Sequence, residues 1–298
     1  RKRPGVNVAY PPTNTPTKSA VRGANRGASS IAHIHLNNPY TTEVSPHLAH
    51  AIHSFNRMST THVIICTHTT RHLATTIAGV ALQTQHPASI IVSTDNDHAD
   101  IAALVQQATS DFAVPITLVQ RPHQGESRSS QVRNNAVRAL LKSPHAVSDR
   151  LWFLDGDCCP APDALAAHTS LARDHDLVVA FRIDLSPEQT SAMSLDLLRQ
   201  GKWPVEPTPD QISDLERRDQ RYAKAARLRR FGLAKPHKPK LLSANFSVTL
   251  SDFLETNGFD EAYVGYGQED DDLGRRLYLA GVRPIVGVAT AIVFHQHH

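Results

Sequence analysis

Leu151-Trp152-Phe153-Leu154-Asp155-Gly156-Asp157 is the stretch on which the reading of this chain turns. Four consecutive apolar residues predict a strand buried on both faces, as in a parallel sheet. The glycine then allows a turn at its carboxyl end. Two carboxylates at i and i+2 in that position lie where open α/β sheets bind their ligands. Hard oxygens so arranged suit Mg²⁺ or Mn²⁺, ions that also hold substrate phosphates. A second acidic cluster, Glu269-Asp270-Asp271-Asp272, opens a predicted helix. Acidic residues are favoured at such an N-terminus, but four exceed what capping needs. Together the clusters suggest a metal–diphosphate site facing a separate carboxylate base.

Upstream, strands and helices alternate. Residues 62–67, 89–92, 116–119 and 151–154 read as strands, and 73–83, 99–108 and 129–141 as helices. A helix over 162–173 and a strand over 177–181 continue the rhythm. This is the pattern of βαβ units, so the expected class is α/β, with a mostly parallel central sheet flanked by helices. Downstream, 241–250 reads as a strand carrying Asn245. A short helix capped by Ser251 or Asp252 should stop at Asn257-Gly258. A helix over 269–280 precedes a single β-branched run over 283–294 and then His295-Gln296-His297-His298.

Two regions break the pattern. Residues 1–60 are rich in Pro, Thr, Asn and Ser and read as a flexible tail and lead-in, with one short helix around 47–56. Residues 184–240 form an irregular insertion, within which 216–240 carries ten Lys or Arg against two acids. Such a run is most often a solvated helix face. Its functional alternative is an arm facing the acceptor or an anionic membrane, which would make the chain peripheral to a membrane.

Composition narrows the field. Of 298 residues, 40% are hydrophobic, enough for a substantial core, and the net charge of +3 does not point to nucleic acid. No apolar run approaches the ~20 residues of a membrane helix. Three cysteines, two of them adjacent, make a poor disulfide framework and fit a reducing, cytoplasmic setting. Arg1 in place of Met reads as a trimmed or partial chain.

Four segments resemble the GT-A glycosyltransferases of the large inverting family 2, with a C-terminal part similar to the galactosyltransferase and chondroitin-polymerase type. They are Val63-Ile64-Ile65-Cys66-Thr67-His68, Val132-Arg133-Asn134-Asn135-Ala136, Leu154-Asp155-Gly156-Asp157-Cys158, and the run from Asn257 to Leu277 that contains Gly265-Tyr266-Gly267-Gln268-Glu269-Asp270-Asp271-Asp272. The resemblance covers 61–298. It departs from the family pattern at Cys66, where Pro is common, and at Ser93-Thr94-Asp95-Asn96-Asp97, which replaces an Asp-Asp-Gly-Ser. It implies a Rossmann-like catalytic domain over 61–298 that moves a sugar from a nucleoside-diphosphate donor, a uridine diphosphate sugar first, to a glycan, lipid-linked or protein acceptor.

The resemblance also implies site roles. Asp157 and His295 would hold Mn²⁺ or Mg²⁺, with His297 and His298 as alternatives to His295. Thr67, Asp95, Arg133 and Asp155 would contact the nucleotide. Asp270 would be the base that deprotonates the acceptor, its proton affinity raised by crowding from its acidic neighbours. Gly267, Glu269 and Asp271 would contact substrate. Two other readings stay open, a catalytically inactive GT-A domain acting as a carbohydrate-binding or scaffolding protein, and a sugar nucleotidyltransferase. The latter usually carries a Gly-rich phosphate loop after its first strand, and Thr67-His68-Thr69-Thr70-Arg71 has no glycine.

Overall fold

The computed structural model describes residues 59–173, 176–265 and 267–298; the expected tail and the helix around 47–56 lie outside them. The chain lays down β1 (Thr61–Thr67), α1 (Leu73–Ala81), β2 (Ser89–Thr94), α2 (Ala99–Asp111), β3 (Ile116–Gln120), α3 (Ser129–Leu140) and β4 (Arg150–Asp155). It continues through β5 (Cys158–Pro160), α4 (Ala164–Leu171), β6 (Asp176–Val179), β7 (Ile183–Asp184), α5 (Pro187–Ala192), α6 (Leu195–Arg199) and α7 (Pro209–Arg229). β8 (Asn245–Thr249), α8 (Leu250–Glu255), α9 (Glu269–Leu279), β9 (Arg283–Val286) and β10 (Val293–His295) complete it.

Seven of these strands form one sheet in the order β3-β2-β1-β4-β8-β6-β9. β3, β2, β1 and β4 are parallel, as the alternation predicts, whereas β8 runs antiparallel between β4 and β6. Period-two alternation divides the apolar strands between two cores. Val63, Ile65, Trp152 and Leu154 pack under α1 and α4. Ile64, Phe153 and Phe246 face α3, α8 and α9, where Val132, Ala136 and Leu140 supply the helical stripe. Phe153 stacks on Phe246 at 4.7 Å between ring centroids, and Phe259 meets it edge-on at 5.7 Å. Each such fully buried side chain contributes about 1.5–3 kcal/mol.

A smaller sheet, ordered β5-β10-β7, sits at the carboxyl end of β4. The single strand expected over 283–294 is two: β9 joins the large sheet and β10 the small one. Gly287 marks the break, where an added Cβ would lie 2.8 Å from Leu171 Cδ1. The strand expected over 241–250 begins only at Asn245, and the cap of α8 is Thr249, whose hydroxyl accepts from the Asp252 amide. The helix stops where expected, with Asn257 and Gly258 both at positive φ.

The insertion is less irregular than its sequence suggests. α7 runs for 21 residues from a capping box in which Thr208 and Gln211 satisfy each other's amides. Trp203 packs inward and donates its Nε1–H to the Pro160 carbonyl at 3.0 Å. Among the described residues no helix is long and apolar enough to cross a membrane.

Candidate functional site

A cavity of about 430 Å³ opens at the carboxyl ends of β1, β2 and β4 and is closed on its far side by the N-terminus of α9. Both acidic clusters reach it. Thr67, Asp95, Arg133, Asp155, Asp157, Gly267, Glu269, Asp270, His295 and His298 all line it; of the residues singled out for the site, Asp271 and His297 do not.

Gly156 serves the site by closeness rather than by an unusual backbone angle. A Cβ there would sit 2.5 Å from Thr67 Oγ1, and the Gly156 amide donates to the Cys66 carbonyl at 2.7 Å. β1 and the turn after β4 are thereby locked together, setting Asp155 and Asp157 beside Thr67. Asp95, buried at the end of β2, accepts from the Arg128 amide at 3.3 Å and has His123 Nδ1 3.6 Å away.

Asp157 belongs to the small sheet's side of the cavity. In the β10 register, His295 stands opposite Cys158 on one side and Asp184 on the other. His295 Nδ1 is 2.8 Å from Asp184 Oδ1, and its Nε2 is 3.5 Å from Asp157 Oδ2. His298 Nδ1 lies 3.6 Å from the same oxygen. His297 is elsewhere: its amide donates to Thr190 Oγ1 and its carbonyl accepts from His72. Burial disfavours the Asp157 charge, but hydrogen bonding and attraction from His295 outweigh it and hold the carboxyl down at about 2.

The ligating atoms of Asp157, His295 and His298 all lie within 4.8 Å of one another, a donor set that fits a divalent cation. Against the lowering effect of burial, hydrogen bonds to Asp157 and Asp184 push His295 up to about 9, so both ring nitrogens carry protons at neutral pH. A bound cation would displace the Nε2 proton and leave the Nδ1–H on Asp184, the usual arrangement of a carboxylate behind a ligating histidine. Cys158 is not a comparable donor. Burial pushes its thiol well up, and its Sγ–H donates to Asp157 Oδ1 at 3.3 Å.

Arg133 joins the two clusters. It is 5% exposed; its Nη2 donates to Asp155 Oδ1 at 3.0 Å, and its Nη1 lies 3.7 Å from Glu269 Oε1. Next in α3, Asn134 clamps the loop before α9: its amide nitrogen donates to the Phe259 carbonyl, and its oxygen accepts the Phe259 amide. One helix thus registers the second acidic cluster against the first.

Asp270 occupies a different environment from Asp157. Oδ2 accepts one hydrogen bond, from the Ser243 amide at 3.1 Å, while Oδ1 is shut off from solvent with no hydrogen-bond partner among the described residues. Burial raises its pKa to about 6, against the lowering pull of Arg133. Crowding, the cause expected from the sequence, is a lesser contribution: Glu269 ranks well below burial, and Asp272 is paired with Arg276 one turn along α9. Nor do the four acids cap α9. Its N-cap is Gln268, in the left-handed region at φ 70° with no side-chain bond, after Gly267 at φ 102°.

The sequence reading missed Arg182 and Asp184. Arg182 Nη1 is 3.9 Å from Asp155 and its Nε 3.4 Å from Asp184. The available signal was two charged residues just past the strand read over 177–181, at the sheet end that already carried Asp155.

Known proteins share this framework. Residues 57–298 match the family described as "Glycosyltransferase like family 2". The structure of GalNAc-T7 with UDP, GalNAc and Mn²⁺ superposes with a TM-score of 0.54, at 14% identity, over 82% of this chain and 45% of that one. S. aureus TarS 1-349 gives 0.51 at 14% identity, over 80% and 60%. Beta-1,4-galactosyltransferase 3 of Homo sapiens is 36% identical over 59 residues, 20% of this chain and 15% of that protein. Validoxylamine A glucosyltransferase of Streptomyces hygroscopicus subsp. jinggangensis is 41% identical over 54 residues, 17% and 13% of the two lengths. The matches to these curated relatives therefore span about one seventh of their length.

Proposed function

The chain belongs to glycosyltransferase-like family 2 and has the GT-A fold, and from that premise we propose that residues 61–298 form one catalytic domain transferring a sugar from a nucleoside-diphosphate donor, a UDP-sugar first, to an acceptor hydroxyl with inversion. The observation that carries the reading is the meeting, in one cavity, of an Asp157–His295–His298 cluster and a carboxylate of raised proton affinity, Asp270.

Asp157, His295 and His298 would hold a divalent cation, whose chemistry there is to neutralise the charge growing on the departing diphosphate. Asp95 and the Thr67 segment receive the nucleoside at the strand ends, where ligands of such sheets bind. Asp155 takes the ribose side, steadied by Arg133. On the acceptor side, Asp270 accepts the hydroxyl proton as the acceptor oxygen bonds to the anomeric carbon and the bond from that carbon to the diphosphate oxygen breaks. A carboxylate with a pKa of about 6 remains ionised at neutral pH yet is a better proton acceptor than an ordinary aspartate. Glu269 keeps Arg133 in place, and Gly267 lets substrate approach the backbone closely.

The test is a panel of nucleotide sugars with Mn²⁺, with Mg²⁺ and with chelator. Metal-dependent release of UDP from one donor is expected. Absence of binding to every donor, with and without metal, would contradict the proposal and favour a scaffolding role.

A further inference from the structure

Beside the site just described lies a second cleft of about 480 Å³ that shares Lys240 and Leu242 with it. Its floor is aromatic, with Tyr222 of α7 meeting Phe181 edge-on at 6.4 Å between centroids. Its remaining polar lining is cationic, Arg218, Arg221, Lys238 and Lys240, with no carboxylate among the lining residues. Arg218 spreads over the Phe181 ring at 3.8 Å and pairs with Asp214. Its Nε is buried with no hydrogen-bond partner. Arg221, Lys238 and Lys240 have no acidic partner within salt-bridge distance among the described residues.

The cleft is also built to hold its shape. The Arg229 guanidinium donates to the carbonyls of Lys235, Pro236 and Lys238 at 2.6–2.8 Å and lies 4.0 Å over the Tyr278 ring. The Tyr278 hydroxyl donates to the Pro239 carbonyl at 2.7 Å. The backbone presenting Lys238 and Lys240 is thus tied down before any ligand arrives, which lowers the ordering cost of binding.

Resting on the glycosyltransferase reading, we infer that this cleft is the acceptor subsite and that the acceptor is a saccharide carrying anionic groups. The donor cavity sets Asp95, Asp155, Asp157, Glu269 and Asp270 against Arg133, Arg182 and the shared Lys240, so its fixed charges do not by themselves draw such a molecule in. Arg221, Lys238 and Lys240, in a cleft that adjoins the donor cavity through Lys240, supply the attraction that brings it toward Asp270, and the Tyr222 ring adds apolar surface for a sugar. Phe231 and Leu233, exposed beyond the end of α7 among further basic residues, would suit an anionic bilayer, but the cations of the cleft converge on a concavity that a flat surface does not enter.

Binding is to be measured for a hyaluronan oligosaccharide (carboxylate), a phosphorylated oligomannoside (phosphate), neutral chitotetraose, and phosphatidylcholine vesicles containing phosphatidylglycerol. At least one acidic oligomer is expected to bind about tenfold or more tighter than chitotetraose, with the advantage fading at high salt. The carboxylate and phosphate arms name the anionic group. Arg221→Glu should lose about tenfold of that affinity while Arg221→Lys keeps most of it, and nucleotide-sugar binding should stay unchanged in both. Equal affinity for chitotetraose, no effect of Arg221→Glu, or binding to the vesicles alone would overturn the inference. Acidic-oligosaccharide binding without nucleotide-sugar binding would uphold the cleft and remove the donor reading.

Discussion

Asp157 and Asp270 line the same cavity and carry the same functional group, yet their surroundings push them in opposite directions. Asp157 faces two imidazoles and is held at about 2; Asp270 is half-buried, with one amide donor and one oxygen shut off from solvent, and sits at about 6. A permanently ionised carboxylate suits a cation site, and a carboxylate poised nearer neutrality suits proton transfer. In the proposed mechanism, neighbours rather than residue type divide the labour, and Arg133, touching Asp155 on one side and Glu269 on the other, links the two acidic clusters.

The strongest way to break the comparison is to remove its ionised half. Asp157→Ala should bring nucleotide binding and turnover down to the level seen with chelator, leaving the unfolding transition in place; metal-dependent binding that survives would remove Asp157 from the cation site. Arg133→Met comes next. It takes the cation from buried Glu269 and leaves Asp155 only the longer contact to Arg182, so urea unfolding should show a loss of about 3 kcal/mol, and the acid limb of turnover should move to higher pH, because Arg133 lowers the Asp270 pKa. Unchanged stability would mean that the bridge holds nothing together. Asp184→Asn is gentler. By weakening the hold on His295 it should cost about 10–100-fold in Mn²⁺ affinity by calorimetry, and an unaltered affinity would show that His295 needs no orienting partner.

The two halves of the site were unequally legible. The strand end at Asp155-Gly156-Asp157 and the E-D-D-D helix could be read because each is local: an apolar run or a helical period next to its carboxylates. Asp184 could not be read in that way. It meets His295 through strand pairing across 111 residues of chain, and the strand that carries it is two residues long. The split of β9 from β10 was hidden because β-branched residues continue through the break, and only the crowding around Gly287 reveals it. The start of α7 was signalled by Thr208-Pro209-Asp210-Gln211, a capping box that the nearby charge run overshadowed. The raised pKa of Asp270 was foreseen, but burial, its main cause, depends on chain packed from elsewhere, including Ser243.

The central claim is the division of labour, and Asp270→Asn tests it most directly, with Mn²⁺-dependent nucleotide binding and sugar transfer measured in parallel across pH. For the parent chain, the base form of a carboxylate with a pKa of about 6 exists above that pH, so transfer should fall as pH drops through about 6. Asp270→Asn should bind nucleotide as the parent does and lose transfer by about 10²–10⁴-fold, with that acid limb gone. Transfer at the parent rate, or loss of nucleotide binding along with transfer, would contradict the account.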